Sequence, residues 1–222
     1  MRKKFGIFLI TLGLLLFGAY FAGRFIPTYY SNKDISQDVS HEQMVSNKKK
    51  EFKNNFDAVN NISTKNTLMN FTSIDQEGII GQIIIPDEDI SLPINYGVTD
   101  EHLLSGSATM REDQEMGVGN YPLAGHYVSK NGPLFSRIHN LTKGQKIFVT
   151  DKDTIFEYEV IDKVMTDQYA FYMLEDDMTE QYNNKPIISL MTCDIPTQDA
   201  ENRVFVIGEL INSFPYEESY FK

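Results

Sequence analysis

Cys193 is the only cysteine among 222 residues, and it ends the apolar run Ile187-Ile188-Ser189-Leu190-Met191-Thr192-Cys193 just before the polar segment Asp194 to Asn202. A side chain at the end of a buried strand is where a scaffold exposes chemistry. A free thiol near pKa ~8.5 is mostly protonated at neutral pH, so a nucleophilic cysteine needs a base or a cation beside it. The cation is at hand: Arg203 heads the next β-rich run, Arg203 to Ile211, nine residues after the cysteine run ends. If the two runs pair antiparallel, Cys193 faces Arg203 with Cβ atoms ~4.5–5.5 Å apart, whereas a slip of one residue sends the guanidinium to the other face. Four histidines are candidates for the base: His41, His102, His126 and His139. His126 fits best, because it follows Gly125 in the β-prone stretch Asn120 to Val128, and a glycine lets backbone or substrate approach closely. His41 falls in a polar stalk, His102 in a short helix and His139 on a polar turn before Asn140. A thiol with an imidazole and a guanidinium within reach is the make-up of an activated cysteine nucleophile.

The elements that must position these groups read as strands. Pro186 and Pro196 bound the cysteine run. Ile79 to Pro86 and Ile90 to Ile94 are two short strands around the turn Asp87-Glu88-Asp89, and Thr99-Asp100-Glu101 is the capped start of a short helix ending near Gly106. Lys146 to Thr150 and Thr154 to Val160 alternate around Asp151-Lys152-Asp153 as a hairpin, and Lys163 to Thr166 begins another strand. Residues 167–185 form a long acidic, aromatic-bearing segment directly before the cysteine strand, placed to wall a peptide groove. Many short strands and few helical periods favour a closed β-barrel over a sandwich.

The segments Leu190-Met191-Thr192-Cys193, Ala124-Gly125-His126 and Arg203 resemble the three signature elements of the sortases, the membrane-anchored cysteine transpeptidases of Gram-positive bacteria. Ala108-Thr109-Met110, Met116-Gly117, Asn120 to His126 and Gly208-Glu209-Leu210 carry the likeness to the housekeeping, class A type over residues 78–212. Ser189 departs from the family's usual threonine. The resemblance implies an all-β fold with short helices, a closed eight-stranded barrel. It makes Cys193, His126 and Arg203 catalytic and Ala124, Leu190 and Thr192 substrate contacts, and it implies no required cofactor. Some class A members bind calcium through acids, for which Glu112, Asp113, Glu115 and Glu180 are the candidates here; three acids in one loop are more often just a polar loop. The implied substrates are surface proteins with a C-terminal Leu-Pro-x-Thr-Gly signal, cleaved between Thr and Gly, and the implied acceptor amine is lipid II. Two alternatives stay open: a pilin-polymerising sortase, and a membrane-tethered binding module whose cysteine is inert.

The formal net charge is −11, and the only charges in residues 1–24 are Arg2, Lys3, Lys4 and Arg24, which leaves 16 basic against 31 acidic residues beyond them. That balance argues against phosphate-driven nucleic-acid binding. A lone cysteine excludes an internal disulfide. The nineteen uncharged residues Phe5 to Gly23 span ~28 Å as a helix, close to the hydrocarbon thickness of a bilayer. Cations before the run predict a single-pass anchor with residues 1–4 in the cytoplasm and the remainder outside, at the cell membrane. Residues 24–73 read as a polar stalk, with a thin-striped helix over Asp38 to Val59, and 74–222 as the catalytic domain.

Overall fold

The computed structural model describes residues 6, 8, 10–18, 38–54, 76–195 and 200–221. Eight strands close into a barrel in the order β1-β2-β3-β4-β7-β8-β6-β5, with β5 returning to β1. They are β1 (Ile79–Ile85), β2 (Ile90–Asn95), β3 (Ser107–Thr109), β4 (Asn120–Ala124), β5 (Lys146–Thr150), β6 (Thr154–Asp167), β7 (Ile187–Cys193) and β8 (Asn202–Pro215). Two neighbouring pairs run parallel, β2 with β3 and β4 with β7; the others are antiparallel. Inward side chains of the strands, among them Ile83, Ile94, Tyr121, Leu123, Val149, Tyr158, Leu190 and Val206, fill one apolar core.

The expected local signals are found. Asp89 takes the left-handed conformation that turns β1 into β2, at φ 55°. Helix α2 (Asp100–Ser105) starts where the Thr99 hydroxyl accepts the His102 amide and ends at Gly106. The β5–β6 hairpin pairs as expected around Asp151 to Asp153.

Lys163 to Thr166 does not begin a separate strand: β6 is continuous for 14 residues and pairs with β8 along nearly its whole length, interrupted by register shifts between Glu157 and Tyr158 and between Val160 and Asp162. The stalk helix is shorter than expected. Helix α1 (His41–Asn47) is capped by Ser40 and ends at Lys48, where consecutive lysines follow; the rest of the expected span up to Asn54 is not helical, and 55–59 lie outside the described residues. Val39 and Met44 bury themselves against Ile79, and Asn47 donates to the carbonyls of Gln76 and Ile79, so this segment is packed on the barrel. Residues 10–18 are helical, and most other positions of the expected anchor lie outside the described residues. No described helix is long and apolar enough to cross a membrane.

Candidate active site

The site is built where β4, β7 and β8 lie side by side. Cys193, the last residue of β7, is the register partner of Arg203, the second residue of β8. On the other side β4 runs parallel to β7, with Ala124 opposite Met191. The Gly125 amide donates to the Met191 carbonyl at 3.0 Å, and the Thr192 hydroxyl donates to the Gly125 carbonyl at 2.7 Å. His126 follows two residues past Ala124, where β4 and its pairing with β7 end. Cys193 and Arg203 face each other across the β7–β8 ladder, and His126 lies in the chain just past the end of the neighbouring β4. Gly125 owes its identity to a close approach: a Cβ there would lie 2.4 Å from the Phe135 ring, which packs on the backbone just before the imidazole.

Environment sets the resting charges. His126 is buried, its Nε2 has no hydrogen-bond partner among the described residues, and burial pulls its pKa down to about 4 against a weak opposing pull from Asp100. Burial pushes the Cys193 thiol up, Arg203 pulls it back, and Asp194 adds to the rise. Both groups therefore rest neutral at neutral pH. The Arg203 guanidinium is held through Nη1 by the carbonyls of Ala200 at 2.8 Å and Asn202 at 2.9 Å. Among the described residues no carboxylate lies within ion-pair distance of it.

A groove of about 190 Å³ opens beside Arg203, floored by Met191 and Phe205 and walled by Met110, Tyr169 and Phe171. The segment after β6 supplies that wall, as its composition predicted. Ala124, Leu190 and Thr192, expected as substrate contacts, do not reach the groove. All three are buried: strand alternation turns Leu190 and Thr192 inward while Met191 and Cys193 point outward, and Ala124 is covered in the apolar cluster it shares with Met110, Leu174 and Phe205. Ser189, where threonine was usual, donates to Asn120 Oδ1 at 2.8 Å, and the Asn120 amide group holds the carbonyls of Met173 and Glu175 behind the groove wall.

His139 is the residue that sequence reasoning missed. It lies in the 3₁₀ turn Phe135–Asn140, and its Nε2 is 2.9 Å from the Cys193 carbonyl oxygen. Nothing in the local sequence marks a contact spanning 54 residues. His41 and His102 bond to the carbonyls of Asp151 and Gly97, away from the site.

The acids proposed for calcium do not assemble a cage: among the described residues no three of His, Cys, Asp and Glu gather to hold a metal. Instead Arg111 occupies the acidic loop, with Nε 3.0 Å from Asp113, Nη2 3.2 Å from Asp176 and Nη1 donating to the Leu174 carbonyl at 2.9 Å. Of the candidate acids, Asp113 is thus paired with a guanidinium, which also holds Asp176.

The chain matches the Sortase domain family over residues 83–211. It belongs to the sortase family. This sortase is 30% identical over 210 residues to the Sortase A of Listeria monocytogenes, covering 95% of this chain and 91% of that one. It is 40% identical over 143 residues to the Sortase A of Bacillus anthracis, 64% of each chain. The solved structure of Listeria monocytogenes sortase A superposes with a TM-score of 0.59 at 33% identity, over 65% of this chain and 97% of that one. These likenesses make it a class A sortase, a transpeptidase, and the alternative of a binding module with an inert cysteine falls away.

Proposed function

We propose that this sortase cleaves a Leu-Pro-x-Thr-Gly-type signal between Thr and Gly and passes the surface protein to the amine of a peptidoglycan precursor, lipid II, with Cys193, His126 and Arg203 as the catalytic groups. The observation that carries the reading is the register pairing of Cys193 with Arg203 beside an apolar groove, with His126 two residues past the end of the adjoining β4. The extended signal lies along Met191 and Phe205 under the aromatic wall. The Cys193 sulfur forms a bond to the threonine carbonyl carbon as its proton passes to His126. Arg203, unpaired with any described carboxylate, stabilises the oxyanion, a role worth ~10²–10³ in rate when one such donor is lost. The C–N bond then breaks, and the imidazolium gives its proton to the leaving glycine amine. In the second half the acceptor amine attacks the thioester, His126 takes its proton, and the thiol is regenerated as that proton returns.

An anchor at the cell membrane, with the catalytic domain outside, rests on the uncharged run 5–23 and on its described part. Ile10, Leu14, Leu15, Leu16 and Phe17 are all exposed, an apolar surface that water alone does not support. Tethering enzyme, signal and lipid-borne amine to one surface raises their effective concentration. Relatives matched over most of the chain are named Sortase A, which favours the cell-wall acceptor over a pilin lysine.

The test is cleavage of a Leu-Pro-x-Thr-Gly peptide by the full chain in detergent, with and without an amine. Product is expected from the unsubstituted chain and none from Cys193→Ala. Turnover by the alanine chain would overturn the assignment.

A further inference from the structure

Cys193 is held at its carbonyl as well as by its ladder partner. In the parallel β4–β7 ladder the Gly125 amide donates to the Met191 carbonyl. The Cys193 carbonyl, two residues on, points the same way, and the donor next in register is the Tyr127 amide. The chain leaves β7 before reaching it: Tyr127 bridges to Leu134, and the Phe135 amide donates to the His126 carbonyl at 3.1 Å. The end of the nucleophile strand would therefore lack a donor on the side where the imidazole sits. His139 supplies it, with Nε2 2.9 Å from the Cys193 oxygen. A carbonyl only accepts, so in the neutral ring the proton is on Nε2.

The donor is itself fixed. The His139 ring lies 4.5 Å from the Tyr127 ring at 31°, and Lys163 Nζ clamps the His139 carbonyl at 2.7 Å and the Leu141 carbonyl at 2.9 Å. One side chain thus links the backbone of the nucleophile to the residue that follows the general base.

We propose that His139 is a positioning residue for acyl transfer: its Nε2–H replaces the missing ladder donor on Cys193 and sets the distance between thiol and His126. The inference rests on the catalytic reading above. Displacements near 1 Å in such a pair can cost ~10²-fold in rate, and loss of one anchoring bond among several is expected to cost about tenfold.

The experiment compares three full-length chains in signal-peptide cleavage. His139→Phe keeps a ring on Tyr127 and loses the donor, while His139→Gln keeps an N–H. The phenylalanine chain is expected to lose about tenfold in kcat with KM within twofold and an unchanged melting transition, and the glutamine chain to recover most of the loss. Wild-type kcat in the phenylalanine chain, equal losses in both, or a loss confined to KM would overturn the proposal. On the unsubstituted chain, ¹⁵N-resolved imidazole spectra above the usual histidine range should give the Nε2–H tautomer for His139, and the Nδ1–H tautomer would overturn it without any variant having to fold. An unsubstituted chain that cleaves no signal peptide sinks the catalytic reading instead, so the two failures are distinct.

Discussion

The Thr192 hydroxyl donates to the Gly125 carbonyl at 2.7 Å, both groups out of reach of water. That single bond crosses from the strand of the nucleophile to the residue that precedes the imidazole, at the level where the two strands begin to part. Thr192→Val keeps the shape and removes the donor, leaving a buried carbonyl unsatisfied at about 1–3 kcal/mol. Denaturant midpoints should fall accordingly, kcat should fall with them, and Thr192→Ser should restore both. A valine chain of unchanged stability would mean the bond contributes nothing.

The charge state of the catalytic pair has a direct readout. With the thiol pushed up and His126 pulled down to about 4, Cys193 is a thiol, not a thiolate, through neutral pH. Its alkylation by iodoacetamide should be slower at pH 7 than that of a free cysteine and should climb steadily past pH 9. Arg203→Met removes the cation that opposes the rise and should slow alkylation further at each pH. A plateau already reached by pH 7 would indicate a resting ion pair and contradict the burial argument.

Arg111 clasps Asp113, one of the acids considered for calcium, together with Asp176, and holds the Leu174 carbonyl at the edge of the groove wall. Burial alone would raise Asp176, but the guanidinium and the Asn120 amide outweigh it and hold its carboxyl below the ordinary value. Both carboxylates are more than half exposed, so the ion pairs contribute about 1 kcal/mol or less. The larger effect of Arg111→Met should fall on the groove: KM for signal peptide rising severalfold, with kcat nearly kept. Chelator and added calcium should leave the unsubstituted chain's rates alike, and stimulation by calcium would show that the acids rearrange to bind it.

Much of this site was legible before any coordinates. A lone cysteine closing a β-run and an arginine opening the next mark two strand ends, and a histidine after glycine lies just past a third; the pairing of Cys193 with Arg203 was one of the registers that neighbouring runs allow, and only coordinates select it. Faces and distant contacts were not legible. Leu190 and Thr192 adjoin the nucleophile in the string, yet strand alternation turns them inward. The outer half of β6 reads as a separate strand because a register shift between Val160 and Asp162 breaks the period of two, and the long pairing with β8 carries the strand through it. His139 looked like any polar residue before an asparagine, since its partner is a main-chain oxygen and main-chain oxygens leave no trace in sequence.

Burial of His126 couples the site to the stability of the whole barrel. A histidine whose folded pKa lies near 4 and whose unfolded value is about 6.5 binds its proton first in the unfolded chain, so its contribution is neutral above pH 6.5 and turns against the fold as pH drops toward 4. The full cost below that window is about 3 kcal/mol. Urea midpoints of the unsubstituted chain should therefore fall between pH 6.5 and 4 more steeply than those of His126→Asn, which takes up no proton there. The comparison isolates the imidazole from carboxylates such as Asp176, which titrate in both chains. Parallel curves for the two chains would place the His126 ring in contact with water and remove the basis for its neutral resting state.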